Sequence, residues 1–121
     1  MQRFTELVVW KRSHALALET YRHSRSFPAE ERFGLTAQLC RVIASVPTNI
    51  AEGSKRKSRQ EYARFLNIAE GSLAESEYFF LLSRDLGYFS PKTAEVALSE
   101  ADQIARMLNS LRSRVEERQS S

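Results

Sequence analysis

Apolar residues recur every third or fourth position along nearly the whole chain, and only 4 Gly and 3 Pro interrupt them. A strand would need alternation at every second residue, so the spacing dictates helices and an all-α fold. The first helix is expected over about residues 5–25, with Leu7, Trp10, His14, Ala17 and Tyr21 on one face and Leu18 beside them, ending at Ser26-Phe27-Pro28. The second is expected over residues 35–56, with Leu35, Leu39, Val42, Val46, Ile50 and Gly53 on its stripe. Pro47 lies inside that pattern and removes the hydrogen bond to the Ile43 carbonyl, so a bend or a restart is expected there.

The third helix, residues 58–86, has the clearest start. Ser58-Arg59-Gln60-Glu61 reads as a capping box, in which hydroxyl and carboxylate each satisfy an exposed backbone donor. Its stripe is expected to be Tyr62, Phe65, Ala69, Ser72, Ser76, Phe79, Ser83 and Leu86, closed by a left-handed Gly87. The fourth, residues 91–117, opens with Ser90 as cap and Pro91 in the first turn, and carries Ala94, Ala97, Ala101, Ile104, Leu108, Leu111 and Val115. Short connections favour neighbours of opposite direction, so the expectation is one domain, an antiparallel up-down-up-down four-helix bundle. Ala69, Gly71, Ser72, Ala74 and Ser76 are read as allowing close helix packing.

Two segments carry more apolar surface than one core takes. Tyr78-Phe79-Phe80-Leu81-Leu82 points in every direction around its helix, because successive residues turn by about 100°. Val8-Val9-Trp10 poses the same problem. Val9, Trp10, Tyr78, Phe79, Phe80 and Leu81 are therefore expected at an interface between copies of the chain. No apolar stretch is long enough to span a bilayer, and the run before Lys11 and Arg12 is short for a secretory signal, so a cytoplasmic location is expected. The single Cys40 has no partner for an intrachain disulfide and reads as a small core residue.

Catalytic and cofactor chemistry finds no foothold in the pattern. A di-iron bundle needs Glu three residues before His, yet Lys11 precedes His14 and Thr20 precedes His23 at that spacing. No metal site, cofactor or catalytic residue is expected. Gly53-Ser54-Lys55 reverses the Lys-Ser order of a phosphate-binding loop and lacks its first glycine and preceding strand. What remains is charge. Residues 1–60 hold 11 Lys/Arg against 5 Asp/Glu, whereas residues 61–121 hold 7 against 10. The densest cluster is Lys55-Arg56-Lys57-Ser58-Arg59, with Arg64 two turns into the next helix. Two readings stand beside each other: a phosphate-contacting patch, or a solvated turn in which Arg56 pairs with Glu52.

Asn49-Ile50-Ala51-Glu52-Gly53, then Arg56, Ser58, Glu61, Tyr62, Phe65-Leu66, Ile68-Ala69, Gly71-Ser72 and Glu75, resembles the hallmark of four-helix-bundle proteins encoded in 23S rRNA intervening sequences. Val9-Trp10, Phe27-Pro28, Glu31 to Leu35 and Gln38 extend the resemblance over nearly the whole chain. That family is similar to the accessory variability determinant of diversity-generating retroelements, a basic, barrel-like homopentamer that associates with a reverse transcriptase and nucleic acid. The resemblance implies a pentameric ring. One departure is plain: the retroelement proteins are strongly basic, and this chain carries a net charge of only +3.

The expectation is thus a non-enzymatic homo-oligomer that binds structured RNA or DNA through Lys55, Arg56, Lys57, Arg59 and Arg64. The alternative is a scaffold or accessory subunit whose partner is a protein, such as a nucleic-acid enzyme.

Overall fold

The computed structural model describes the backbone of residues 3–120 and the side chains of residues 3–117. Four long helices account for most of it: α1 Val8–Ser24, α2 Leu35–Ser54, α3 Arg59–Asp85 and α4 Pro91–Ser120. No strand occurs among the described residues. The chain is all-α, as its periodicity requires.

The caps explain the boundaries. Ser58 is extended and its Oγ accepts the Glu61 N–H at 3.1 Å, which starts α3. The reciprocal half of the expected capping box is absent, because the Glu61 carboxylate is taken by Arg64 instead. At the far end Gly87, at φ 80°, lets the Tyr88 N–H reach the Ser83 carbonyl at 2.8 Å and its own N–H reach Arg84 at 3.0 Å. Ser90 Oγ then accepts the Thr93 N–H at 3.0 Å, and Pro91 fills the first turn of α4. The expected first helix is split. Phe4–Glu6 forms a single 3-10 turn, Leu7 is extended, and α1 begins only at Val8.

Each helix packs on the next in sequence, and α4 returns to α1, where the packing is sparsest. The cross-links define which parts meet. Ser24 Oγ lies 3.4 Å from Cys40 Sγ between α1 and α2, so Cys40 is half-buried at a helix contact and not inside the core. Glu70 of α3 holds Arg112 of α4, and the Phe80 and Phe89 rings stand 6.1 Å apart at the other end of that pair. Arg12 of α1 makes a two-point ion pair with Glu100 of α4 at 2.7 and 3.0 Å.

The stripes of α2 and α4 are those expected; Leu35, Leu39, Val42, Val46, Ile50 and Gly53 are buried, as are Ala94, Ala101, Ile104, Leu108 and Val115. Helix α2 runs through Pro47 without restarting. Hydroxyls and an amide of the same turns reach backbone carbonyls there: Ser45 to Val42 at 2.7 Å, Thr48 to Ala44 at 2.8 Å and Asn49 to Ser45 at 2.8 Å.

The other two stripes need correction. Helix α1 buries Val9, Ser13, Leu16, Ala17, Thr20 and Ser24, while Tyr21 and Leu18 are exposed and His14 faces solvent. The hydroxyls are tolerated inside because each bonds its own helix: Ser13 to Trp10, Thr20 to Leu16 and Ser24 to Tyr21. On α3 the expected Phe65, Ala69, Ser76 and Ser83 are buried, but the fully buried large residues Leu66, Leu73 and Phe80, one heptad apart, form the other row of the face, one residue beyond the expected Ser72 and Phe79. Val9 and Phe80 are core residues and leave no surface for a neighbouring copy. Trp10 and Phe79 pack partly buried against the core, Trp10 covered by the Phe4 ring at 5.2 Å and stacked on His14 at 4.9 Å. Of the six expected interface residues, only Tyr78 and Leu81 are exposed.

Small residues on α3 also divide. Ala69 and Ser76 are buried, but Gly71 and Ala74 face outward. The tight contact falls at Gly53 on α2, where an added Cβ would lie 2.7 Å from Phe65 Cβ and 3.1 Å from Tyr62 Cδ1. An added Cβ at Gly71 would meet nothing within 4 Å. Replacing Gly53 by Ala should therefore cost about 1–3 kcal/mol through overpacking. Gly71→Ala should stabilise by about 0.5–1 kcal/mol, since a helix interior prefers Ala. Urea denaturation of both variants checks the pair; equal effects would contradict the packing described.

Candidate nucleic-acid interface

The cation cluster occupies the connection between α2 and α3. Helix α2 ends where the Lys55 and Arg56 N–H groups bond back to Glu52 and Gly53 at 3.2 and 3.0 Å, and Ser58 restarts the helix four residues after Ser54. Because Gly53 admits Tyr62 and Phe65 so closely, the connection is held between two helices packed along their length. Every residue from Lys55 to Gln60 is exposed.

The five expected cations fall into two groups. Arg56 and Arg64 both lie over the Phe65 ring, with guanidinium carbons 4.7 and 4.9 Å from its centroid. Each also has an acidic partner: Arg56 meets Glu52 at 3.9 Å, and Arg64 meets Glu61 at 3.1 Å. The Arg64 hydrogen bond, helped by the nearby charges of Arg64 and Arg56, holds the Glu61 carboxyl below the usual carboxylate range. The same bond raises the Arg64 guanidinium above its ordinary value. These two cations are thus partly neutralised and orientated by the fold.

Lys55, Lys57 and Arg59 form no ion pair among the described residues. Arg59 also stands in the first turn of α3, where the helix dipole is positive and a cation is disfavoured. Lys55, by contrast, stands at the C-cap of α2, where the dipole is negative and a cation is favoured. Together the exposed cations leave a concentrated positive field at one end of the molecule, suited to an anion with several charges.

One contributor was not legible in the sequence cluster. Arg114, near the end of α4, lies close enough to Tyr62 to oppose the rise that burial imposes on the phenol. The only sequence signal was length, since α4 is long enough to return to the start of α3. Phe65 was likewise read as core alone, yet its ring seats two guanidinium groups.

Among the described residues no group of three or more His, Cys, Asp or Glu is placed to hold a metal ion. No helix of the described residues is long and apolar enough to cross a membrane.

Fold and site together define a small four-helix protein with a cation-bearing turn at one end. Residues 5–110 match the family model described as 23S rRNA-intervening sequence protein, and the chain belongs to that family. It is similar to a crystal structure from Bacteroides thetaiotaomicron, a protein with unknown function from the S23 ribosomal protein family, at a TM-score of 0.77 and 25% identity. The similarity covers 86% of this chain and 97% of that one. No curated protein matches the sequence.

The Glu61–Arg64 pair gives a direct check of the site geometry. Removing the guanidinium in Arg64→Ala should return the Glu61 carboxyl toward the ordinary carboxylate range. Its stabilising contribution is present above the unfolded value and lost as pH falls through the depressed folded value. Carboxyl titration by NMR in both proteins reads the change, and an unshifted Glu61 in the variant would contradict the pairing.

Proposed function

We propose that the protein is a non-enzymatic, cytoplasmic, homo-oligomeric helical bundle that binds structured RNA or another nucleic acid electrostatically through the α2–α3 turn. The observation that carries this reading is the trio Lys55, Lys57 and Arg59, exposed, without ion pairs among the described residues and gathered where α2 ends and α3 begins. Arg56 and Arg64 flank them on the Phe65 ring, and Arg114 adds charge from α4. A polyphosphate would satisfy all of these at once, because binding grows with each phosphate neutralised and its counterions released. The relative's description as a member of the S23 ribosomal protein family supports RNA as the polyanion.

Within each subunit the helices run antiparallel, up-down-up-down. The meeting of early α1 with mid α4 at Arg12–Glu100, and of late α1 with the residue just before α4 at His23–Phe89, supports this direction, as does Gly53 beside Phe65. Subunits form a ring, for which the resemblance to the retroelement protein suggests five. Exposed Val8, Leu18, Tyr21, Phe33, Tyr78 and Val96 supply apolar surface for such an assembly. A ring aligns several copies of the basic turn, so modest contacts per subunit sum to useful affinity.

A second reading keeps the oligomer and gives it a protein partner, such as a nucleic-acid enzyme. The low net charge and acidic second half favour it. A complex that survives nuclease treatment would support this reading over the first.

Replacing Lys55, Arg56, Lys57 and Arg59 together by Ala should weaken binding to structured RNA and reduce the salt slope by about one unit for each lost phosphate contact. Glu61→Gln, which frees Arg64, should shift both quantities the other way. Fluorescence anisotropy across a salt series measures both, with circular dichroism confirming unchanged helicity. Unchanged affinity in the fourfold variant would refute the site.

A further inference from the structure

We propose that Phe33 of one protomer inserts into the groove between α1 and α4 of a second copy, head to tail, and that this contact builds the oligomer. The inference rests on the self-association in the reading above and names the surfaces that carry it.

The first surface is a fixed protrusion. Phe33 is 87% exposed, the most exposed of the large apolar side chains described. Its loop is nevertheless tied down. Glu31 accepts the Tyr88 hydroxyl at 3.0 Å and the Leu35 N–H at 3.3 Å, while the Gly34 N–H returns to the Glu31 carbonyl at 3.0 Å. The Arg32 guanidinium covers one side of the ring at 5.2 Å. A rigid aromatic held in water costs solvation and gains nothing within its own chain. Pre-ordered aromatic anchors of this kind carry much of the energy at interfaces.

The second surface is an unfilled hollow. Helices α1 and α4 pack least closely of the four contacting pairs, and a groove of about 510 Å³ opens between them. Its lining includes Leu16, Phe89, Val96 and Ala97, with Val96 58% exposed. One rim charge matches the incoming loop. Lys92 on α4, which has no ion pair among the described residues, suits Glu30, whereas Glu19 on α1 is already paired with Arg22.

Position selects a second copy as the occupant. Phe27 lies 5.3 Å from both Tyr88 and Phe89, and His23 lies 6.1 Å from Phe89, so the Phe33 loop and the groove mouth share one end of the molecule. The ring does not enter its own groove, since it stays exposed. A chain bearing both protrusion and hollow on different faces makes heterologous contacts, which close into rings when the rotation permits. Protomers turned about an axis along their helices would keep both features at one level.

Two exposed substitutions test this. Phe33→Ala removes the protrusion, and Val96→Arg fills the groove; both positions are exposed, and thermal melts by circular dichroism verify folding. Light scattering should show each variant falling from the wild-type oligomer to a 13.9 kDa monomer. Mixed one to one, they should form a heterodimer of twice that mass, because one supplies the groove and the other the ring. Wild-type mass retained in Phe33→Ala would overturn this contact and leave self-association standing. Two monomeric variants that fail to pair when mixed would overturn the head-to-tail geometry. A monomeric wild type would overturn the contact and the oligomer together, whatever the RNA titrations show.

Discussion

The close approach of α2 to α3 at Gly53 governs the rest of the molecule. A hydrogen in place of a side chain lets Tyr62 and Phe65 settle against the end of α2, with the Phe65 Cβ at a distance that any other residue would obstruct. That contact closes the α2–α3 pair within a four-residue connection and fixes where α3 starts. From there Leu66, Leu73 and Phe80 meet the core one heptad apart, and α4 packs along them. The same contact brings Phe65 beneath Arg56 and Arg64. Packing and charge presentation therefore share one residue.

The basic turn gains its character from what the fold leaves unpaired. Glu52 and Glu61 take Arg56 and Arg64, while Arg59 stands at the positive end of the α3 dipole and Lys55 at the negative end of the α2 dipole. Exposed ion pairs of this kind contribute little stability, so their main consequence is geometric: two guanidinium planes are held over one ring while the other cations project freely. With a net charge of only +3, the molecule gathers five of its 18 Lys and Arg residues into a positive field between positions 55 and 64. Repetition around an assembly, and not charge per subunit, is what would make such a field strong.

Much of the architecture was legible in the sequence because caps and turns have local causes. Ser58, Gly87, Ser90 and Pro91 mark their boundaries through single hydrogen bonds or a single φ angle. The stripes of α2 and α4 were readable because their buried positions are almost purely apolar. Helix α1 was not, since Ser13, Thr20 and Ser24 are buried with hydroxyls satisfied by their own helix, and apolarity alone then favours the wrong face. In Tyr78-Phe79-Phe80-Leu81-Leu82 every position is apolar, so periodicity carries no phase, and Phe80 proved to be core. The basic cluster was visible as a run, whereas Arg114 joins it only through the return of α4. The exposure of Phe33 is not legible in the sequence because it follows from the way Glu31 and Tyr88 hold its loop.

The central claim is that an assembled ring presents its basic turns to a nucleic acid. It is tested most directly by titrating the wild-type protein with structured RNA and duplex DNA across a salt series, with the oligomer mass determined in the same buffers. The account predicts an intact oligomer that binds at submicromolar concentration, with affinity falling steeply as salt rises. An intact oligomer that binds neither nucleic acid at any salt concentration would contradict it and transfer the role to a protein partner.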